Sequence, residues 1–195
     1  MTEAERSDEL WQMTLAQFRA ACAEQSLPGC GAVAAVVADF GLGLVVKALR
    51  VSEKRETCAA RGELLCRAQA LLGRPGAYAD DDVEAFQGYL SAEGDDGRQA
   101  AARQACAVPL ATARACNEAL AIAEAARTQV IESLRCDVQA GALLIGAAID
   151  AVLLNVEADL KTLDSSADRN ALGEVRKKLQ SEAHDRLDRM AAQSK

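Results

Sequence analysis

Apolar residues recur along this chain at the three-and-four spacing of helices, and nowhere does the two-residue alternation of a half-buried strand persist. Leu10, Met13, Leu15, Phe18 and Cys22 mark a first helix ending near Gln25. After the turn Pro28-Gly29-Cys30-Gly31, residues 31–52 are apolar on nearly every side, interrupted by Asp39, Lys47 and Arg50. Such a helix is either buried centrally or set in lipid, and its charges favour the protein interior. Asp39 and Lys47 stand two turns apart, too far to pair, so their partners are expected on other helices. Residues 53–73 predict a more amphipathic helix, closed by Gly73 and the breaker Arg74-Pro75-Gly76, and the run Asp80-Asp81-Asp82 opens the next.

The segment Glu93-Gly94-Asp95-Asp96-Gly97 predicts a loop, with helix resuming near Arg98. Pro109 lacks a backbone donor, so it either opens a new helix or kinks a continuing one. Helical spacing then runs over residues 110–134. Residues 137–163 form a second apolar helix, in which Gly141, Ala142, Gly146, Ala147, Ala148 and Ala151 permit close helix contact. Its apolar run is short for a membrane span, and Asp150 breaks it. A last helix over 168–192 lines up Leu172, Val175, Leu179, Ala183, Leu187 and Met190 on one stripe. The pattern predicts an all-α helical bundle of about six to seven helices around two central apolar ones. One domain over residues 1–195 is expected, with residues 1–7 as a flexible tail.

Composition strengthens the helical reading. Apolar residues make up 50% of the chain and aromatics 3%, so Ala, Leu and Val carry the hydrophobicity, which suits closely packed helices. A net charge of −7 lacks the basic footprint of a general nucleic-acid binder or an anionic-membrane binder, so neither partner is expected. The seven cysteines (Cys22, Cys30, Cys58, Cys66, Cys106, Cys116, Cys136) include no Cys-x-x-Cys pair, and His184 is the only histidine. The usual zinc spacing is missing and no metal is expected. Residues 1–10 are polar and acidic rather than a secretory signal, so reduced thiols and a cytoplasmic location are expected. No Walker loop, Gly-x-Gly-x-x-Gly, His-Glu-x-x-His or Gly-x-Ser-x-Gly occurs, which removes support for most familiar enzyme classes.

Four features remain, in fixed order: the turn Pro28-Gly29-Cys30-Gly31; Asp82-Val83-Glu84-Ala85-Phe86; Val108-Pro109-Leu110; and Asp137 heading an apolar helix that ends Leu154-Asn155-Val156 with Leu160-Lys161. In these the chain resembles the cyclodeaminase/cyclohydrolase family, over roughly residues 8–190. The family's Pro-Gly-Gly-Gly-Ser/Ala turn corresponds to Pro28-Gly29-Cys30-Gly31-Ala32, with one glycine become Cys30. Its Asp before Ala-Phe/Tyr matches Asp82, and its Ser-Asp pair matches Cys136-Asp137. In its Asn-Val/Leu-x-x-Asn-x-Lys pattern Asn155 and Lys161 are kept, while the second Asn is Asp159 here. Two family segments are replaced, by Arg50-Val51-Ser52-Glu53-Lys54-Arg55 and by Gln129-Val130-Ile131-Glu132-Ser133.

The resemblance implies an all-α homodimer joined through its helices, with a folate-type small molecule as substrate and no tightly bound cofactor. The implied activity is methenyltetrahydrofolate cyclohydrolase or formiminotetrahydrofolate cyclodeaminase. A diverged folate- or pterin-binding protein, or a helical interaction protein of the same fold, is the alternative. Catalytic candidates are Asp82 and Asp137; substrate-binding candidates are Pro28, Gly29, Cys30, Gly31, Asn155 and Lys161. Each has a plainer reading. The turn offers unpaired backbone N–H groups to a ligand, or merely needs glycine to connect two helices. Asp82 and Asp137 serve as acid–base groups or as helix caps. Asn155, in an apolar run, finds either a ligand or another helix. Lys161, Lys54, Arg50 and Arg55 hold an anionic ligand tail or are simply solvated. His184 is expected to be exposed.

Overall fold

The structure, a computed structural model, describes residues 10–192 and holds among them seven α-helices and no strand. They are α1 (Leu15–Glu24), α2 (Cys30–Arg55), α3 (Ala59–Leu71), α4 (Arg74–Ser91), α5 (Gly94–Ala126), α6 (Arg135–Asp159) and α7 (Ser166–Ala192). Short 3-10 turns stand at Leu10–Gln12, Glu132–Leu134 and Leu160–Thr162. The expected tail at residues 1–7 lies outside the described residues.

The two apolar stretches are the central helices α2 and α6, and they approach closely because neither has a side chain at their crossing. A Cβ on Gly141 would lie 2.5 Å from the Gly41 carbonyl oxygen, and one on Gly41 would lie 2.8 Å from the Gly141 carbonyl oxygen. Around that contact Leu42, Val45 and Leu49 of α2 meet Ile145, Ile149 and Leu153 of α6 and Leu110, Leu120 and Ile122 of α5, all with under 2% exposure. Each such side chain contributes about 1.5–3 kcal/mol through burial. By length and composition α2 and α6 could each cross a membrane, yet 67% and 50% of their most apolar windows are covered inside the bundle. The expected partners of the α2 charges are also present: Asp39 accepts the Gly73 N–H at 2.7 Å, and Lys47 pairs with Asp137 of α6 at 2.8 Å.

Two local expectations change, and one open choice is decided. Arg74-Pro75-Gly76 is the first turn of α4 rather than a breaker: Gly73 is the left-handed cap, and Pro75 sits where a missing N–H costs nothing. The loop expected at Glu93–Gly97 shrinks to Glu93, because α5 begins at Gly94 with Asp95 and Asp96 at the positive end of its dipole. Of the two readings of Pro109, continuation holds, with the residue buried inside one helix from Gly94 to Ala126.

Candidate active site

The earlier start of α4 decides what Asp82 does. The Asp80-Asp81-Asp82 run lies two turns into the helix, so it does not cap it. Its three carboxylates diverge instead: Asp80 accepts the Leu10 N–H at 3.2 Å, Asp81 is exposed, and Asp82 is aimed at the first turn of α2. There the Ala32 N–H donates to Asp82 Oδ2 at 3.1 Å. One of the orphan donors expected at this helix N-terminus thus takes a carboxylate, but one supplied by the chain itself.

Gly31 makes the approach possible. A Cβ at Gly31 would fall 2.1 Å from Asp82 Oδ1 and 2.6 Å from Asn155 Nδ2, so bare backbone is required beneath both groups. Asn155, near the end of α6, faces Asp82 Oδ1 through Nδ2 at 3.5 Å and accepts the Cys30 thiol on its Oδ1. Its amide therefore has protein partners on both sides within an otherwise apolar helix. One turn further along α6, on the same face, stands Asp159.

These groups line one cleft of about 270 Å³, walled by Ser26, Leu27 and Gly29 before and at the start of α2, Ala85 and Phe86 of α4, Ala105 of α5, and Ala158 of α6. Two carboxylates, an amide, a thiol and the Ser26 hydroxyl are the polar side chains of its wall, and no Lys, Arg or His is among the described residues that line it. Burial pushes the Asp82 carboxyl above its ordinary value, against the lowering effect of the Ala32 N–H and the Asn155 amide. Burial, with Asp82 adding like-charge repulsion, raises Asp159 to about 6. The Cys30 thiol is raised by partial burial and then by Asp82. Cys106, buried on α5 next to Ala105, is pushed up to about 11 by burial and then by Asp159.

Of the expected site residues, the fold brings together Gly29, Cys30, Gly31, Asp82 and Asn155. Pro28 faces an adjoining groove of about 610 Å³ between α2 and α6 rather than the cleft. Asp137 stands in the first turn of α6, 18 residues from Asn155 and hence about 27 Å along the helix, where it pairs with Lys47. Lys161 is exposed in the turn after α6 and does not line the cleft. Lys54 and Arg55 lie at the far end of α2, about 35 Å from its first turn. His184 is half-exposed and meets Asp150 at 2.9 Å. Of the cleft residues absent from the expected set, Ser26, Phe86 and Asp159 carry polar or aromatic side chains.

Fold and cleft together define a helical protein of the cyclodeaminase type, with a glycine turn closing on an aspartate and an asparagine. The chain belongs to the formiminotransferase-cyclodeaminase family, whose model matches residues 14–181. Its fold is similar to that of the crystal structure of formiminotetrahydrofolate cyclodeaminase from Thermotoga maritima, with a TM-score of 0.88 over 93% of this chain and 96% of that one, at 20% identity. No curated protein sequence matches it.

Proposed function

We propose that the chain is an enzyme of tetrahydrofolate one-carbon chemistry that closes 5-formiminotetrahydrofolate to the 5,10-methenyl form with release of ammonia. The observation that carries this is Asp82, a carboxylate of raised affinity for protons, held by the Ala32 N–H and facing Asn155 on the wall of an otherwise mainly apolar cleft. Cyclisation needs a base for the proton of the attacking amine and an acid for the departing nitrogen, and a carboxyl with raised pKa serves such transfers near neutral pH. A cleft wall with two carboxylates and no basic side chain favours a substrate whose carbon carries positive character between two nitrogens. Half-exposed Phe86 offers a flat apolar surface beside it.

Hydrolysis of the methenyl bridge makes the same demands on Asp82 with water in place of ammonia, and is the second reading. Apolar side chains exposed on α2 and α6 support a homodimer through that face. The test supplies purified protein with 5-formiminotetrahydrofolate and follows the appearance of the methenyl chromophore, with its loss from 5,10-methenyltetrahydrofolate followed in parallel. Asp82→Asn is expected to lower whichever rate is found by about 100-fold or more. Failure of the wild-type protein to accelerate either reaction over buffer would sink the proposal.

A further inference from the structure

Asp159 has no evident structural duty. Among the described residues its carboxylate takes part in no ion pair, yet it stands on the cleft wall one turn beyond Asn155. It shares that wall with Asp82, which reaches the cleft from α4. Two carboxylates from different helices line one small cleft, and the charge of Asp82 adds to burial in making Asp159 harder to ionise. A site with one ionised and one protonated carboxyl holds a base and an acid at once, which two-step chemistry at an amidine carbon can use.

We propose that Asp159 is a second catalytic residue of the cleft, the proton donor that works opposite Asp82 as proton acceptor. The inference rests on the one-carbon reading above and assigns the second half of its proton traffic. In cyclodeamination the folate's secondary amine attacks the formimino carbon, forming a C–N bond. The imine π pair moves to the terminal nitrogen, which takes the Asp159 proton, while the attacking amine gives its proton to Asp82. The bond from carbon to the terminal NH₂ then breaks with its electron pair, and that nitrogen leaves as ammonia with the proton from Asp82. A cation remains, shared by the two ring nitrogens, and Asp159 regains its proton from water.

The groups that set its ionisation come from each neighbouring helix. Asp82 faces it from α4 and Cys106 interacts with it from α5, while Cys30 of α2 lies beyond Asp82. Lys161, two residues on, is exposed and off the cleft wall. Arg169 of α7 is directed to the carbonyl oxygens of Leu163 and Asp164.

The test compares kcat against pH for wild type, Asp159→Asn, Asp159→Glu and Asp82→Asn, each checked for helix content and thermal unfolding. Because Asp159 must carry a proton to act, wild-type kcat is expected to fall as pH rises through about 6. Asp159→Asn is expected to lower kcat at least about tenfold and to lose that limb, with partial recovery in Asp159→Glu. An active wild type with Asp82→Asn inactive, and Asp159→Asn within twofold with its pH limb intact, would overturn the role of Asp159 alone. A wild type that turns over neither folate substrate would overturn the site reading and this assignment together.

Discussion

Gly31 and Asp82 are in contact so close that no side chain fits between them: a Cβ on Gly31 would stand 2.1 Å from Asp82 Oδ1. The carboxylate is fixed at that spot by the N–H of the next residue, Ala32. Gly31→Ala must therefore push Asp82 off the helix terminus or bend the α2 entry. The expected result is a loss of about 1–3 kcal/mol in stability, as for overpacked interiors, and at least a tenfold fall in kcat. Urea unfolding beside the folate assay measures both. A Gly31→Ala protein of wild-type activity would show that the contact does not position Asp82.

Cys30 gives an independent reading of the same cleft. Its thiol donates to Asn155, and partial burial and the Asp82 charge both raise its affinity for the proton. Since the thiolate is the nucleophile, Cys30 is expected to react with iodoacetamide at pH 7.5 more slowly than Cys66 and Cys136, which are exposed as it is. Asp82→Asn removes the negative neighbour and is expected to speed alkylation at Cys30 while leaving Cys66 unchanged. Peptide mass mapping over time reads each cysteine separately, and equal rates at Cys30 in the two proteins would contradict the coupling.

Asp159 also makes a prediction about stability. A carboxyl raised in the folded state stabilises the fold most where it is protonated, below its ordinary value of 3.8, and that contribution is lost as pH rises through about 6. Asparagine carries no such cost, so Asp159→Asn is expected to melt above wild type at pH 7.5 and to lose that advantage by pH 4. After allowance for solvent screening the gain is on the order of 1 kcal/mol, or about 2–4 °C in Tm. Calorimetry at the two pH values checks the sign. A variant that is more stable yet less active is what a functional rather than structural carboxylate produces.

Much of this arrangement is readable in the residue pattern, and the gaps have physical causes. The small residues of the two apolar helices announce their close crossing, and Asp82 and Asn155 stand out as polar groups in ordered company. Asp159 escaped because it reads as one change within a family pattern, although its four-residue spacing from Asn155 sets it on the same helix face. The motif that marks Asp137 does not say where its end of α6 packs, and there it meets Lys47. Pro75 looked like a stop because proline both ends helices and begins them, and only the left-handed Gly73 before it distinguishes the two cases.

The outer face of the central helices supplies the last prediction. Leu143 and Leu154 of α6 are 56% and 62% exposed and Phe40 of α2 is 48% exposed, although the helices that carry them form the core. With Ala140, Ala147 and Ala158 the two leucines form a stripe along α6 at three-and-four spacing, beside the groove walled by Val33, Val37, Ala147 and Ala151. A contiguous apolar patch of this kind on a helix bundle marks a contact surface. A second copy related by a twofold axis would lay the same stripe antiparallel on itself, burying small residues against leucines. Sedimentation is expected to give about twice the 20.5 kDa chain mass at micromolar concentration. Leu143→Lys, far along α6 from Asp82, is expected to yield a folded monomer, because a charge there faces its own copy across the axis. A wild-type protein that sediments as a monomer, or a Leu143→Lys protein that remains dimeric, would rule out this face as the interface.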